Sequence, residues 1–422
     1  MPISAPTPAE GSPAVAPSTG STASSAAGSS AGPARACVVW GQDLLGYDFG
    51  PGHPMAPARL DLTMRLVREL GLLAGPGVDL VAPPPADDAV LATVHDADYL
   101  AAVRAASEHG TPDPRRGLGT EDDPVFPGMH EAAARVVAGS WEAAGAIASG
   151  RSLHAVNVAG GMHHAKAGAA SGFCVYNDAA VAVRRLLDEG ADRVAYVDLD
   201  AHHGDGVEEV FWGDPRVLTV SVHQSGATLF PGTGHPTDVG GPGAEGTAVN
   251  VALPPRTDGG RWWRAVDAVV PPVLRAFRPD VLVTQHGCDA HGDDPLSDLD
   301  VSVGAQRTAT AALHALAHEL TGGRWLALGG GGYAIARVVP LAWSAVVGEV
   351  VHAPVADGQP VPAPWRALVA EVTGVDGPST FGPGVERQPW SAGFDPDDAV
   401  DRAILATRRA VFGHLGLDAH FD

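Results

Sequence analysis

The stretch RVAYVDLDAHHGDG, residues 193–206, changes character half-way along. Its first half is a run of Val, Ala, Tyr and Leu with little polar alternation, as expected of a strand buried on both faces. From Asp198 it becomes Asp198-Leu199-Asp200-Ala201-His202-His203-Gly204-Asp205-Gly206, a loop dense in carboxylates and imidazoles. An apolar strand that delivers polar groups at its carboxyl end fits an open parallel α/β sheet, where functional loops gather beyond the strand ends.

Working outward from it, β-rich runs lie at 154–158, 217–223, 281–286 and 325–328. Helical patterns separate them around 59–70, 131–148, 177–188, 262–277, 304–320 and 334–350. Together they predict a single three-layer α/β/α domain with a mostly parallel central sheet. Three more strands repeat the pattern of the first. Run 154–158 leads to Gly160-Gly161-Met162-His163-His164, run 281–286 to Gly287-Cys288-Asp289-Ala290-His291, and run 325–328 to Gly329-Gly330-Gly331-Gly332-Tyr333. Four strand ends therefore bring His, Asp or Tyr to one edge of one sheet. Scattered core histidines would not sort themselves this way.

Residues 1–34 are nearly all Ala, Ser, Pro, Gly and Thr and read as a disordered leader, because they bury too little apolar surface to offset ordering entropy. The catalytic domain is expected over 35–352. Residues 353–422 form a proline-rich C-terminal extension that meanders and then ends in a short helix near 397–414. The chain of 422 residues carries 27 Lys plus Arg against 49 Asp plus Glu, a net charge of −22. Such acidity excludes a duplex nucleic-acid partner, which needs clustered cations. Lys166 is the one lysine, and a bias towards arginine codons is the plainest account of that. Three cysteines make no disulfide framework, no run of 18 apolar residues suggests a membrane span, and the N-terminus lacks a signal-peptide pattern. A cytoplasmic enzyme is the simplest class.

Asp200 and His202 lie two apart at a strand end, so both side chains can point to one side and reach one ion. A carboxylate and an imidazole suit Zn²⁺ or Fe²⁺, and Asp289 is the natural third ligand of a centre with an open position. An EF-hand reading of 198–209 fails because His203 replaces the required glycine and the flanking element is a strand. The glycine run 329–332 lacks the Gly-Lys-Ser/Thr of a phosphate loop. His163 and His164 supply a base and an acid near neutral pH, and Asp198 and Asp205 are available to fix their tautomers. The Tyr333 hydroxyl could hydrogen-bond a developing oxyanion.

In combination these motifs resemble the histone deacetylase superfamily, with its arginase/deacetylase fold, and most closely its bacterial acetoin-utilisation branch. The similarity extends over roughly 37–350. It includes His53-Pro54 with Arg59, Gly117–Asp122, Ser171-Gly172-Phe173-Cys174 and Phe230-Pro231-Gly232-Thr233-Gly234, besides the four strand-end loops. The resemblance implies removal of acetyl groups from lysine side chains of proteins, with Zn²⁺ (or Fe²⁺) on Asp200, His202 and Asp289. His164 and His163 would be the base/acid pair, backed by Asp205 and Asp198 respectively. Tyr333 would polarise the acetyl carbonyl. It further implies that Phe173, with Gly172 and Gly331, lines an acyl-lysine channel, that Asp122 holds substrate backbone at the rim, and that Arg59 lies below the metal near an acetate exit. A structural K⁺ would use Asp198, Asp200, His202 and Ser221, partly through backbone carbonyls. Leu296 falls near where polyamine-specific relatives carry a glutamate, which favours acetyl-lysine over acetylpolyamine; the acetylpolyamine hydrolase is the alternative. An arginase-like two-metal centre would need more clustered aspartates. An acetylated protein such as an acyl-CoA synthetase is the partner suggested, with no nucleic acid and no membrane.

Overall fold

In chain order the strands are β1 (Ala36–Val39), β2 (Val78–Val81), β3 (His154–Asn157), β4 (Val194–Asp198), β5 (Val217–Gln224), β6 (Ala248–Leu253), β7 (Val281–Gln285) and β8 (Trp325–Leu328). The structure, a computed structural model, describes residues 36–422; the leader expected over 1–34 lies outside them. All strand pairings are parallel, in one sheet ordered β2-β1-β3-β8-β7-β4-β5-β6. The chain builds β1 to β3 on one side, crosses to lay down β4 to β6, then returns to fill the gap with β7 and β8.

That order positions the site. The four strands that end in His, Asp or Tyr loops are consecutive neighbours, β3-β8-β7-β4. Register then aligns their ends: Asn157 pairs with Leu328, Leu328 with Gln285, and Gln285 with Asp198. All four loops leave the sheet at one level.

Apolar side chains on β3, β4, β5, β7 and β8 are buried, because helices cover both faces. The helices Met129–Ala148 and Asp178–Asp188 pack together on β1, β3 and β4. The helices Ala58–Glu69, Val339–Val350, Val303–Thr321 and Gly259–Phe277 pack in series, touching β3, β7, β8, β5 and β6. The helical pattern read at 334–350 becomes a helix only from Val339, with Pro340 in its first turn, where a missing N–H costs nothing. Residues 335–338 stay in a turn behind the glycine loop.

The turn-rich stretch after residue 353 contains a helix, Ala363–Thr373, tied down where Trp365 Nε1 donates to the Leu62 carbonyl at 2.8 Å. The last long helix, Ala399–Val411, packs on β6 and on Gly259–Phe277. There Arg264 and Asp401 form a buried two-pronged ion pair at 2.7 and 2.9 Å. Val400, Ile404, Val411 and Phe412 join the main core. Among the described residues no helix is long and apolar enough to cross a membrane.

Candidate active site

Beyond β4 the chain turns so that Asp200 and His202 face the loop after β7. His202 Nδ1 lies 3.1 Å from Asp200 Oδ1 and 3.2 Å from Asp289 Oδ2. All three are buried, and their ligand atoms fall within 4.8 Å of one another. Surrounding donors fix the carboxylates. Gln285 Nε2 and the Gly331 N–H each donate to Asp200 Oδ2 at 2.8 Å, and the Ala201 N–H donates to Asp289 Oδ1 at 2.8 Å. His203, next in sequence, turns away to Thr233 and Glu208.

A divalent ion fits this donor set. Two carboxylates are buried side by side, and burial together with the Asp200 charge pushes Asp289 up to about 7. Burial opposes a charge on His202, yet its hydrogen bonds to the Asp200 and Asp289 carboxylates raise it to about 10, which shows how strongly the two carboxylates call for a cation. A divalent cation would replace that proton and neutralise both carboxylates. Gly331 supplies the room: a Cβ there would strike the carboxylates of Asp289 and Asp200.

The histidine pair stands beside this trio. His163 Nδ1 bonds Asp198 Oδ2 at 2.8 Å, His164 Nδ1 bonds Asp205 Oδ1 at 2.7 Å, and the two Nε2 atoms are 3.0 Å apart. The pair is electrically asymmetric. Burial alone would lower His163, but the charges of Asp198 and Asp200 raise it to about 9. Burial and then the charge on His163 depress His164 to about 3. Near neutral pH His163 therefore carries the charge of the pair, while His164 stays neutral. Tyr196 donates to Asp198 at 2.7 Å, and Lys166 Nζ lies 2.7 Å from Asp205 and 3.1 Å from Glu209. The chain's one lysine thus steadies the aspartate behind His164. Sequence reasoning took Lys166 as a codon effect, and only its place two residues past the pair could have signalled more.

Above the trio a cavity of about 220 Å³ opens to the surface. His163, His164, Asp200 and His202 line its base with Gly331 and Tyr333, while Asp122 and Leu296 also line it. Phe173 and Phe230 wall it with their rings: Phe173 stands edge-on to Tyr333 at 5.6 Å, and Phe230 edge-on to His164 at 5.0 Å. Phe173 keeps a left-handed backbone (φ 68°), and a Cβ on the preceding Gly172 would strike His164 and Phe230. Phe230 belonged to a noted motif but received no role from sequence; its ring reaches the site only through the fold. Asp122 is exposed, and its carbonyl accepts from His53 Nε2 at 3.1 Å. Arg59 does not line the cavity. It is buried behind the glycine loop, donating to the Gly330 and Gly332 carbonyls, with its guanidinium 5.3 Å from the Tyr333 ring centre. Burial above all keeps the Tyr333 phenol well above its ordinary pKa. Asp294, a residue given no role from sequence, accepts the Tyr333 N–H at 2.6 Å.

A parallel α/β sheet whose central strand ends place an Asp-His-Asp trio against an aspartate-backed histidine pair defines a deacetylase-type hydrolase centre. Residues 53–350 match the Histone deacetylase domain family, and the chain belongs to it. The protein is similar to the Acetoin utilization protein AcuC of Bacillus subtilis (strain 168), 39% identical over 371 residues that make up 86% of this chain and 95% of that protein. It is also similar to AcuC of Staphylococcus aureus (strain MRSA252), 37% identical over 335 residues (78% and 85%), and of Staphylococcus xylosus, 37% identical over 319 residues (74% and 82%).

Proposed function

We propose that this chain is a Zn²⁺-dependent hydrolase that cleaves acetyl groups from N-ε-acetyl-lysine on proteins, releasing lysine amine and acetate. The observation that carries it is the unequal histidine pair set beside the Asp200-His202-Asp289 trio at the base of an aromatic-walled cavity. Asp200, His202 and Asp289 would hold the ion, which when bound supplies Lewis-acid polarisation of the amide carbonyl and acidifies a water.

The protein's own groups do the rest. Neutral His164 accepts the proton of the attacking water at Nε2, while its Nδ1–H stays on Asp205. His163, kept charged by Asp198, delivers the proton that the departing amine needs. The Tyr333 hydroxyl, held protonated by burial, donates to the carbonyl oxygen as negative charge develops there. Phe173 and Phe230 flank the apolar lysine stem, Gly172 and Gly331 let it approach closely, and Asp122 accepts substrate backbone N–H groups at the rim. Arg59 sits behind the floor as a partner for departing acetate. A K⁺ held around Asp198, Asp200, His202 and Ser221 would be structural.

Leu296 on the wall favours acetyl-lysine over an acetylpolyamine, which would seek a carboxylate there for its distal ammonium. An acyl-CoA synthetase regulated by lysine acetylation is the class of protein substrate we assign, in the cytoplasm. Acetate release from an acetyl-lysine peptide and from N-acetylspermidine, compared at equal concentration, tests the choice. The peptide should be preferred at least tenfold in kcat/KM. Preference for acetylspermidine would overturn the protein-substrate assignment.

A further inference from the structure

Besides the Asp-His-Asp trio, one further cluster of potential metal ligands occurs among the described residues: His154, His314, His318 and His352. It lies at the opposite edge of the sheet from the active site. His154 opens β3, whose other end leads to the His163–His164 loop. His314 and His318 are one turn apart on Val303–Thr321, so they share a helix face, and His352 follows the end of Val339–Val350.

The four rings converge. Their centres lie 4.6 to 5.0 Å from His154 for the other three, and the four ligand nitrogens fall within 4.8 Å of one another. His314 Nε2 and His318 Nε2 are 3.1 Å apart, near the edge of about 3.3 Å expected for a tetrahedron with Zn–N bonds of about 2.05 Å. His314 Nδ1 donates to Glu349 at 2.8 Å, which leaves its Nε2 lone pair directed at the cluster. This is the carboxylate–imidazole pairing that orients metal-bound histidines.

Two observations do not fit plain packing. His154 is fully buried, and neither of its ring nitrogens has a hydrogen-bond partner, a costly arrangement for a polar group. His352 adopts a left-handed backbone (φ 57°), uncommon for a residue with a side chain, while placing its ring 4.6 Å from His154. His318 and His352 are exposed and give an ion a route in. Gly323 keeps that mouth open, since a Cβ there would press on His318.

We propose that His154, His314, His318 and His352 form a second metal site for a borderline first-row divalent cation, Zn²⁺ being the probe. It would tie β3 to two helices. An all-imidazole, charge-neutral donor set selects such ions over Mg²⁺ or Ca²⁺, which prefer oxygen. The site is independent of the function proposed above and needs no deacetylation to operate.

The test uses the full chain, stripped with a chelator and titrated with Zn²⁺ by calorimetry, with bound metal counted by elemental analysis. In Asp200→Ala protein, where the active-site trio is broken, one equivalent should remain bound and should be lost on adding His318→Ala and His352→Ala. In otherwise unaltered protein, that same exposed pair of substitutions should lower bound Zn²⁺ by one equivalent while acetate release stays unchanged. Zn²⁺ content indifferent to His318→Ala and His352→Ala in both backgrounds would overturn the site. If that content falls but no acetyl substrate is turned over, the second site stands and the deacetylase reading alone fails.

Discussion

The Asp198 carboxylate makes the two adjacent histidines chemically unequal. Its charge, against burial, favours a proton on His163, while burial and then the His163 charge keep His164 neutral. A base and an acid are thereby present together at neutral pH. Because the Asp198 carboxylate raises His163 above an ordinary imidazole, its charged form is present at neutral pH and lost as pH rises, so kcat/KM should fall on the alkaline side. Asp198→Asn removes the raising charge, and the alkaline limb of the pH–rate profile should move to lower pH. An unmoved limb would show that another group sets it. Tyr333→Phe should retain bound metal yet lower kcat by roughly 10²–10³, as for loss of one oxyanion donor. Full activity in that variant would remove the phenol from the mechanism. That the trio, the pair and Tyr333 come together could be expected from sequence, because each follows an apolar run directly. Lys166 and Phe230 were not, since Phe230 meets His164 across 66 residues that only the sheet brings together.

At the scale of elements, five strands were readable as β-rich runs with little polar alternation, and these are β3, β8, β7, β4 and β5, consecutive neighbours in the sheet. β2 escaped because Asp79 breaks its apolar pattern, and β1 because its apolar run directly follows the Ala- and Pro-rich leader. β6 carries Asn250 in its middle, whose Nδ2 donates to Glu208 at 2.7 Å, a partner invisible to periodicity. The helix Ala363–Thr373 was hidden by the prolines around it, although Pro364 sits in its first turn, where it is tolerated. The C-terminal helix is held by its apolar face on the main core and by one buried ion pair. Asp401→Ala would leave the buried Arg264 guanidinium with only backbone carbonyls, chiefly those of Pro389 and Gly393, as acceptors, and unfolding by denaturant should show a loss of about 3 kcal/mol, the lower end for breaking a buried pair. A loss under 1 kcal/mol would mean that water reaches Arg264. Within the glycine loop, Gly331→Ala should expel active-site metal, because its Cβ would occupy the space of the Asp289 and Asp200 carboxylates. Elemental analysis of that variant checks it, and retained metal would show that the loop can retreat.

Over the whole molecule, strand order does what no single motif does. Returning β7 and β8 to the centre of the sheet sets Asp289 and Tyr333 between loops made far earlier in the chain. The sequence announces strand ends that carry chemistry, but it does not state that their strands are neighbours; that follows from the crossover. The same sheet offers His154 at its other edge, where sequence inspection saw only the first residue of an apolar run. The central claim is that Asp200, His202 and Asp289 grip one divalent ion on which hydrolysis depends. Acetate release from an acetyl-lysine peptide, followed through chelation and Zn²⁺ return, tests it most directly. Wild-type turnover should vanish on chelation and recover with Zn²⁺, whereas Asp289→Ala should remain inactive at every Zn²⁺ concentration. Undiminished turnover in the chelated protein, or in Asp289→Ala, would contradict it.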